Sequence, residues 1–410
     1  MLNRFTYPFC YVPHPKVLAA ARELISHIDS DGQLRDIFSE GKMLGVMLCL
    51  DQDGKELILN AFSGLAKGRS QLPGFVPPIY DTQGLTPAVS AEDSRRIQGD
   101  LFRLYRVHNA LGQEASVEEI FALRGLVPPG GTGDCAGPKL LEHAYRNGLT
   151  PLAMGEFWYG QAKGAEVRTQ GSFYPSCTGK CGPLLTWMMQ GLDVEPNPLD
   201  KGFDYGAEPR VIYADEAIIV VDKPAGMLSV PGKTEAKSLL EWLQQRYGEV
   251  HSCHRLDMDT SGLMVFARSL EAKTAMERQF AEREVHKTYR ARLVSGNSPF
   301  RHARKGTIAL PLSLDYYDRP RQMVDFENGK KAISCYEVLE VLPNGEIEVE
   351  FSPITGRTHQ LRVHAAHEKG LGRPIKGDRL YGDSNGGRLH LRAATLEFRH
   401  PINGETMKFK

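Results

Sequence analysis

The sequence has few cysteines and no long hydrophobic run. Seven cysteines among 410 residues are too few for a disulfide scaffold, so we expect reduced thiols. No stretch approaches the ~20 apolar residues that a membrane-spanning helix needs. The opening residues, MLNRFTYPFCYVPHPK, show no apolar segment of signal-peptide length. We therefore expect a cytoplasmic protein with no membrane partner.

Net charge is also absent, since 50 Lys and Arg balance 50 Asp and Glu. By itself this balance argues against a nucleic-acid partner. Residues 208–410, however, contain 31 basic against 27 acidic side chains, whereas residues 1–207 contain 19 against 23. This mild asymmetry permits an RNA-binding face in the second part of the chain.

A connector divides the chain into two predicted domains. Residues 191–207, GLDVEPNPLDKGFDYGA, combine Pro, Gly and Asp without sustained periodicity. Residues 208–410 hold many strands and few helices without regular βα alternation, which predicts an α+β domain with a mixed, mostly antiparallel sheet. Residues 1–207, including the connector, are expected to form a separate N-terminal α/β domain.

Local patterns predict several elements of the second domain. SLLEWLQQRY (238–247) has helical apolar spacing behind a Ser that can cap the helix. SLEAKTAMERQFAERE (269–284) predicts a second helix with Leu270, Met276 and Phe280 inward. AIIVVDKP (217–224) and HKTYRARLV (286–294) predict strands.

The stretch HRLDMDTSGLMVFARS (254–269) places charged residues before an apolar strand. Arg255, Asp257 and Asp259 are costly to bury unless they are paired. An ordinary Arg–Asp salt bridge at the strand entry would explain an isolated pattern of this kind. Two further stretches add polar groups: HKTYR puts Lys287 and Tyr289 on one strand face, and TGRTHQLRVHAA (355–366) is a basic turn-to-helix segment.

Together these stretches resemble the RluA family of pseudouridine synthases, and in particular its RluA branch. The matching strings are KPAGMLSVPG, HRLDMDTSG, KTYRARL, PITGRTHQLRVH, PIKGDRLYG and RLHLRAATLEFRHP, within residues 212–410. The resemblance implies an isomerase that breaks the N1–C1′ bond of a uridine in RNA and re-forms a bond through C5. This reaction needs no cofactor, and no metal is expected in the second domain.

The resemblance also implies roles for individual residues. Asp257 corresponds to the catalytic Asp, which either attacks the sugar or assists a glycal-type intermediate. Arg362 corresponds to the Arg that pairs with it and keeps it ionised. Tyr289 corresponds to the ring that packs on uracil, and Leu361 closes the apolar side of the pocket. Arg255 corresponds to the residue that fills the space of the flipped-out nucleotide.

Other polar residues of the matching strings receive broader expectations. Five basic residues are expected to contact phosphates or to structure the pocket, namely Lys223, Lys287, Arg357, His359 and Lys376. Asp259 and the Thr260-Ser261-Gly262 stretch are interpreted as turn-formers that aim the strand. Asp378, in GDRLYG, is interpreted as a turn residue.

Three cysteines are the sharpest feature of residues 1–207. Cys135 in GTGDCAGPKLLEHA, and Cys177 and Cys181 in FYPSCTGKCGPLLTW, each lie near an expected helix start. This arrangement resembles the zinc-dependent nucleoside deaminase fold. It departs from that pattern because Gly137 stands where the catalytic Glu belongs and three residues separate the Cys pair. Glu156 could replace the missing acid only if the fold brings it close; three buried thiols without metal are the alternative.

From these features we expect a monomeric RNA-modifying enzyme. Large-subunit ribosomal RNA and the tRNA anticodon stem-loop are both candidate substrates, as the resemblance implies. Two alternatives stay open at this point. The chain could be a non-catalytic RNA-binding protein, or a bifunctional enzyme whose N-terminal domain carries a deaminase-like zinc site.

Overall fold

A computed structural model describes residues 4–80, 91–161, 168–201, 206–232, 236–296, 300, 302–316, 318–382 and 387–410. Residues 1–3, at the start of the chain, and 202–205, in the expected connector, lie outside the described residues. The chain divides into two compact units. Unit 1 is Met1–Gly164, Arg168–Asn197 and Leu314–Arg321, and unit 2 is Ala165–Val167, Pro198–Ser313 and Gln322–Lys410. In the part of the chain that the structure describes, no helix is long and apolar enough to cross a bilayer.

Unit 1 combines helices with a four-stranded antiparallel sheet in the order β2-β1-β5-β6. Its helices are α1 (Pro15–Ser30), α2 (Gly32–Phe38), α3 (Ala91–Leu104), α4 (Val117–Ala122), α5 (Ala136–Arg146) and α6 (Gly182–Met188). Its strands are β1 (Lys42–Leu50), β2 (Glu56–Phe62), β3 (Arg106–His108), β4 (Glu114–Ser116), β5 (Thr150–Tyr159) and β6 (Phe173–Tyr174). Gly45 of β1 lets α5 approach closely, because an added Cβ would lie 2.7 Å from the Cβ of Ala136.

Unit 2 contains a ten-stranded sheet and few helices. Its helices are α7 (Pro198–Lys201), α8 (Leu239–Tyr247), α9 (Leu270–Ala281) and α10 (Gln360–Ala366). Its strands are β7 (Arg210–Ala214), β8 (Ile218–Lys223), β9 (His251–Ser252), β10 (Ser261–Ala267), β11 (His286–Leu293), β12 (Lys305–Ala309), β13 (Leu312–Leu314), β14 (Gln322–Val324), β15 (Ile333–Val341), β16 (Ile347–Pro353), β17 (Leu391–Arg399) and β18 (Thr406–Phe409).

The large sheet is mixed and mostly antiparallel, as predicted for an α+β domain. Its main path runs β12-β15-β16-β11-β17-β10-β8-β7, with β18 on β17 and β9 on β10. The β10–β17 pair is parallel, whereas the other strand pairs are antiparallel. Gly262 at the start of β10 has φ +113°, and a Cβ there would lie 2.3 Å from the carbonyl oxygen of Ala393. The parallel junction therefore requires glycine at this position.

The central strands are continuously apolar because both faces of the sheet are covered. In β8, Ile219 and Val221 belong to the core that includes α8 and α10. The alternate residues Ile218 and Val220 belong to the core on the other face, which includes α9. Successive strand residues point to opposite faces, so a sheet buried on both sides needs an unbroken apolar run.

The two helices predicted in this unit are present, with one correction. Ser238 caps α8 through a capping box with Glu241, and Ser269 caps α9. Met276 is buried in α9, but Leu270 is 63% exposed, so its predicted inward position is wrong. Leu270 is the first residue of the helix, so no preceding helical turn covers its side chain.

Candidate active site

A pocket in unit 2 gathers residues from four separate parts of the sequence. Its open space, including the part continuous with solvent, is about 450 Å³. The loop between β9 and β10, strand β11 and the start of α10 contribute most of the lining. The lining residues are Arg255, Leu256, Asp257, Thr260, Lys287, Tyr289, Pro353, Thr355, Gly356, His359, Gln360, Leu361, Arg362 and Leu391.

A buried lysine holds the loop that carries Asp257. The Nζ of Lys223 donates hydrogen bonds to the carbonyl oxygens of Pro224, Met227 and Met258 at 2.9, 2.7 and 2.9 Å. An ammonium group has three N–H donors, and here each one finds an acceptor. Burial lowers the pKa of Lys223 to about 7, whereas the Asp259 and Asp257 carboxylates act in the opposite direction. Lys223 is fully buried, and its hydrogen bond to Met258 ties β8 to the loop that carries Asp257.

Asp257 lies in the pocket with about a quarter of its side chain exposed. Its Oδ2 is 3.7 Å from a guanidinium nitrogen of Arg362 and 4.0 Å from Nε2 of His359. Burial raises the pKa of Asp257, and the Arg362 guanidinium lowers it. Asp378 raises this pKa further through its own negative charge. The pKa of Asp257 therefore depends on burial and on two nearby charges of opposite sign, Arg362 and Asp378.

Arg362 makes its shortest contacts with Asp378, which the sequence interpretation treated only as a turn residue. Nε and one terminal nitrogen of Arg362 donate to the two oxygens of Asp378 at 2.8 and 2.7 Å. Both residues are buried. Arg362 holds the pKa of Asp378 low, although burial of this carboxyl acts the other way. Asp378 also accepts hydrogen bonds from the backbone N–H groups of Leu380 and Tyr381. It therefore both stabilises the turn and orients Arg362.

The segment before α10 is held by the side chains of Gln360 and Tyr381, which the sequence analysis did not name. Buried Gln360 donates to the carbonyl of Ile333 and accepts from the backbone N–H of Arg357. His359 has a left-handed backbone with φ 53°, an uncommon conformation for a residue other than glycine. Its Nδ1 lies 2.8 Å from the Tyr381 hydroxyl. This contact leaves Nε2 facing Asp257.

Four further predicted residues line the same pocket. Tyr289 and Leu361 are both buried, with 8% and 7% exposure. Burial raises the pKa of Tyr289, and Asp257 adds to this shift. Lys287 lies with its Nζ 5.3 Å from the centre of the Phe280 ring. Arg255 is exposed at the pocket rim.

Arg357 and Lys376, like Lys223, lie outside the pocket lining. Arg357 is exposed, and its Nε donates to the carbonyl of Lys331 at 3.1 Å. Lys376 pairs with Glu346 at 2.6 Å. Asp259 forms a salt bridge with Arg379 at 2.9 Å, while its second oxygen is buried without a hydrogen bond. Spacing along the sequence alone could not exclude these residues from the pocket.

Unit 1 contains a group of residues that could hold a metal. The sulfur atoms of Cys135, Cys177 and Cys181 lie within 4.8 Å of one another. Among the residues that the structure describes, no other group of three or more His, Cys, Asp or Glu side chains has a spacing suitable for binding a metal ion. All seven cysteines are free thiols.

Comparison with known proteins connects unit 2 to one family. Residues 217–367 match the family described as RNA pseudouridylate synthase. The Dual-specificity RNA pseudouridine synthase RluA of Haemophilus ducreyi is 46% identical over 204 residues, which are 48% of this chain and 90% of that protein. The protein of the same name from Escherichia coli K12 is 43% identical over 206 residues, 49% of this chain and 91% of its own.

Solved structures of two human proteins are also similar to this chain. RNA Pseudouridylate Synthase Domain Containing 1 is 27% identical with a TM-score of 0.42, and covers 53% of this chain and 85% of that chain. RNA Pseudouridylate Synthase Domain Containing 4 is 26% identical with a TM-score of 0.40, and covers 48% and 86%. The sequence comparisons support neither a non-catalytic RNA-binding protein nor a deaminase. This chain belongs to the RluA family of pseudouridine synthases, the isomerases that convert uridine in RNA to pseudouridine.

Proposed function

We propose that this enzyme modifies large-subunit ribosomal RNA, the anticodon stem-loop of tRNA, or both, in the cytoplasm. The relatives' printed description, dual-specificity RNA pseudouridine synthase, supports more than one RNA substrate. A single site can serve two RNAs if it reads a short loop whose unstacked bases are accessible.

Asp257 is the proposed catalytic residue. The observation that carries this assignment is a partly exposed carboxylate, 3.7 Å from a buried guanidinium, in a pocket that also contains Tyr289 and Leu361. Arg362 favours the ionised form that attack on the sugar or base-assisted glycal formation would need. Neither route requires a cofactor.

The uridine must leave the RNA stack before its C1′ can approach Asp257. The buried ring of Tyr289 and the side chain of Leu361 would then contact the two faces or the edge of the base. Arg255, exposed at the rim, would fill the vacated position in the RNA. Lys287 and His359 line the pocket and would contact the nucleotide, whereas Arg357 is suited to a phosphate outside it.

Residues 1–207 are proposed to form an accessory domain, and residues 208–410 the synthase domain. The RluA relatives match only about half of this chain while covering nine-tenths of their own length. The additional residues therefore have no counterpart in those enzymes. We assign them a part in RNA binding or substrate choice.

Release of tritium from RNA labelled at uridine C5 tests the proposal. Formation of the new bond through C5 must expel that hydrogen, so release reports the isomerisation itself. Wild type, Asp257→Asn and Glu337→Gln would each be offered tRNA and large-subunit ribosomal RNA transcripts. Glu337 forms a surface pair with Lys305 and serves as a control, because such pairs contribute little to stability.

We expect release by wild type and Glu337→Gln and none by Asp257→Asn. The transcript that releases tritium identifies the substrate class. Full release by Asp257→Asn would refute the catalytic assignment. Absence of release from both transcripts with wild type would refute the proposed substrates.

A further inference from the structure

The three-cysteine group of unit 1 is assembled by two helix starts and one loop. Cys135 immediately precedes α5, Cys181 immediately precedes α6, and Cys177 lies four residues before Cys181. The backbone N–H of Cys181 donates to the sulfur of Cys177 at 3.4 Å. Cys181 is buried, whereas Cys135 and Cys177 are partly exposed.

Cysteine is an unusual choice for both helix caps. Ser, Thr, Asp and Asn are preferred at this position because their oxygens accept backbone N–H bonds. Neither Cys135 nor Cys181 makes a capping hydrogen bond. Both side chains instead converge with Cys177, although capping residues would have stabilised the helices more. A requirement for sulfur at these positions would account for cysteine at both caps.

A buried carboxylate lies beside the sulfur atoms. Oε1 of Glu156 accepts a hydrogen bond from the backbone N–H of Gly137, two residues after Cys135, at 3.1 Å. Its Oε2 accepts a hydrogen bond from the hydroxyl of Ser176, the residue before Cys177. Glu156 is 5% exposed. These two bonds fix its carboxylate next to the segments that carry the cysteines.

We propose that Cys135, Cys177 and Cys181 bind one zinc ion through three thiolates, with a fourth position open to water and Glu156 as a hydrogen-bonding neighbour of that water. Tetrahedral Zn–S bonds of about 2.3 Å place the sulfur atoms roughly 3.8 Å apart. The observed limit of 4.8 Å needs only small side-chain adjustments. Each carboxylate oxygen of Glu156 can accept a second hydrogen bond.

The spacing favours a single soft ion over an iron–sulfur cluster. A cluster distributes its cysteine ligands over separate iron atoms, whereas these sulfur atoms are close enough to share one ion. Thiolates select zinc over magnesium or calcium, which prefer oxygen ligands. In the described part of unit 1, no fourth His, Cys, Asp or Glu shares this spacing. Three protein ligands with one open position are typical of zinc sites that bind an exchangeable ligand.

Metal analysis of the purified full-length protein is the first test. After dialysis against metal-free buffer, we expect about one zinc ion per wild-type chain and a small fraction of that in Cys177→Ser. Cys49→Ala and Cys335→Ser are matched controls, since Cys49 is a buried thiol of β1 and Cys335 lies in β15. Both controls should keep their zinc. Metal-free wild type, or zinc retained in Cys177→Ser, would overturn the proposal.

Replacing zinc by cobalt in the wild-type protein tests the same site without relying on variants that could fold poorly. Metal-free wild type titrated with Co²⁺ should develop cobalt–thiolate charge-transfer bands and the visible bands of a tetrahedral ion at one equivalent. An added small thiol should shift the visible bands if the fourth position is open. Absence of charge-transfer bands would overturn the site, and bands insensitive to the thiol would overturn the open position.

The variant Glu156→Gln tests whether Glu156 binds the zinc ion directly or only lies next to its water ligand. Its oxygens already accept bonds from Gly137 and Ser176, so we expect Glu156→Gln to retain one zinc per chain. The visible bands of the cobalt spectrum should shift, because an amide would replace the carboxyl group beside the water ligand. Loss of zinc in Glu156→Gln would show a four-ligand site and overturn the open position.

Discussion

Replacing Arg362 by methionine should raise the pKa of Asp257 and move the acid limb of the pH–rate profile to higher pH. The two charges are 3.7 Å apart, which corresponds to an attraction of about 4 kcal/mol at an effective dielectric constant near 20. Asp257 keeps about a quarter of its side chain exposed, so water screens part of this attraction. A shift of roughly 1–3 pKa units is the expected magnitude.

Asp378→Asn should move the same limb in the opposite direction. Asp378 raises the pKa of Asp257, and asparagine removes that charge while keeping an oxygen for the backbone N–H groups of Leu380 and Tyr381. The double variant Arg362→Met/Asp378→Asn is the control, because it removes both charges. Its acid limb should lie between those of the two single variants.

The assay is tritium release measured as kcat/KM across pH, since the acid limb then reports the free enzyme. The thermal unfolding of each variant is measured as well, because breaking a buried ion pair lowers the free energy of unfolding by about 3–5 kcal/mol. Arg362→Met leaves Asp378 buried without its guanidinium and should be the least stable of the three variants. An acid limb at one pH in all folded variants would refute an electrostatic role for Arg362.

Four further outcomes follow from the structure. Tyr289→Phe should retain more kcat/KM than Tyr289→Ala, because stacking on a base is worth about 1–3 kcal/mol; equal losses would implicate the hydroxyl. Lys223→Met should lower the free energy of unfolding by about 1–3 kcal/mol or more, since it strands three buried carbonyl oxygens; an unchanged melting temperature would contradict this. Gly262→Ala should lower the free energy of unfolding by at least about 1–3 kcal/mol, because Gly262 has a positive φ. A variant that unfolds at the same urea concentration as wild type would exclude that strain. RNA affinity should fall as salt rises, and a flat response in a binding titration would disprove phosphate contacts.

Local sequence patterns predicted the elements of unit 2 well. Ser238 could be recognised as a helix cap because capping depends on residues only a few positions apart. The apolar run of β8 was recognised as a strand, and its covering on both faces became evident only from the two cores. Leu270 was misplaced because helical spacing does not determine whether neighbouring elements cover a residue at the end of a helix.

The motifs of the second half of the sequence determined the family and brought Asp257, Tyr289, Leu361 and Arg362 forward as site residues. Only the tertiary structure decided their partners. Arg362 makes its shortest ion pair with Asp378, and the ammonium group of Lys223 donates hydrogen bonds to backbone carbonyl oxygens. A buried charge takes whichever opposite group or polar atom packing brings within hydrogen-bond reach, and residue spacing does not specify that group.

The same division holds for the cysteines. The sequence by itself determined that Cys177 and Cys181 lie within a few residues of each other and near a helix start. Tertiary structure alone brought Cys135 and Glu156 to them. Side chains distant in sequence meet only after helices pack on a sheet, because packing, and not local backbone preference, determines long-range contacts.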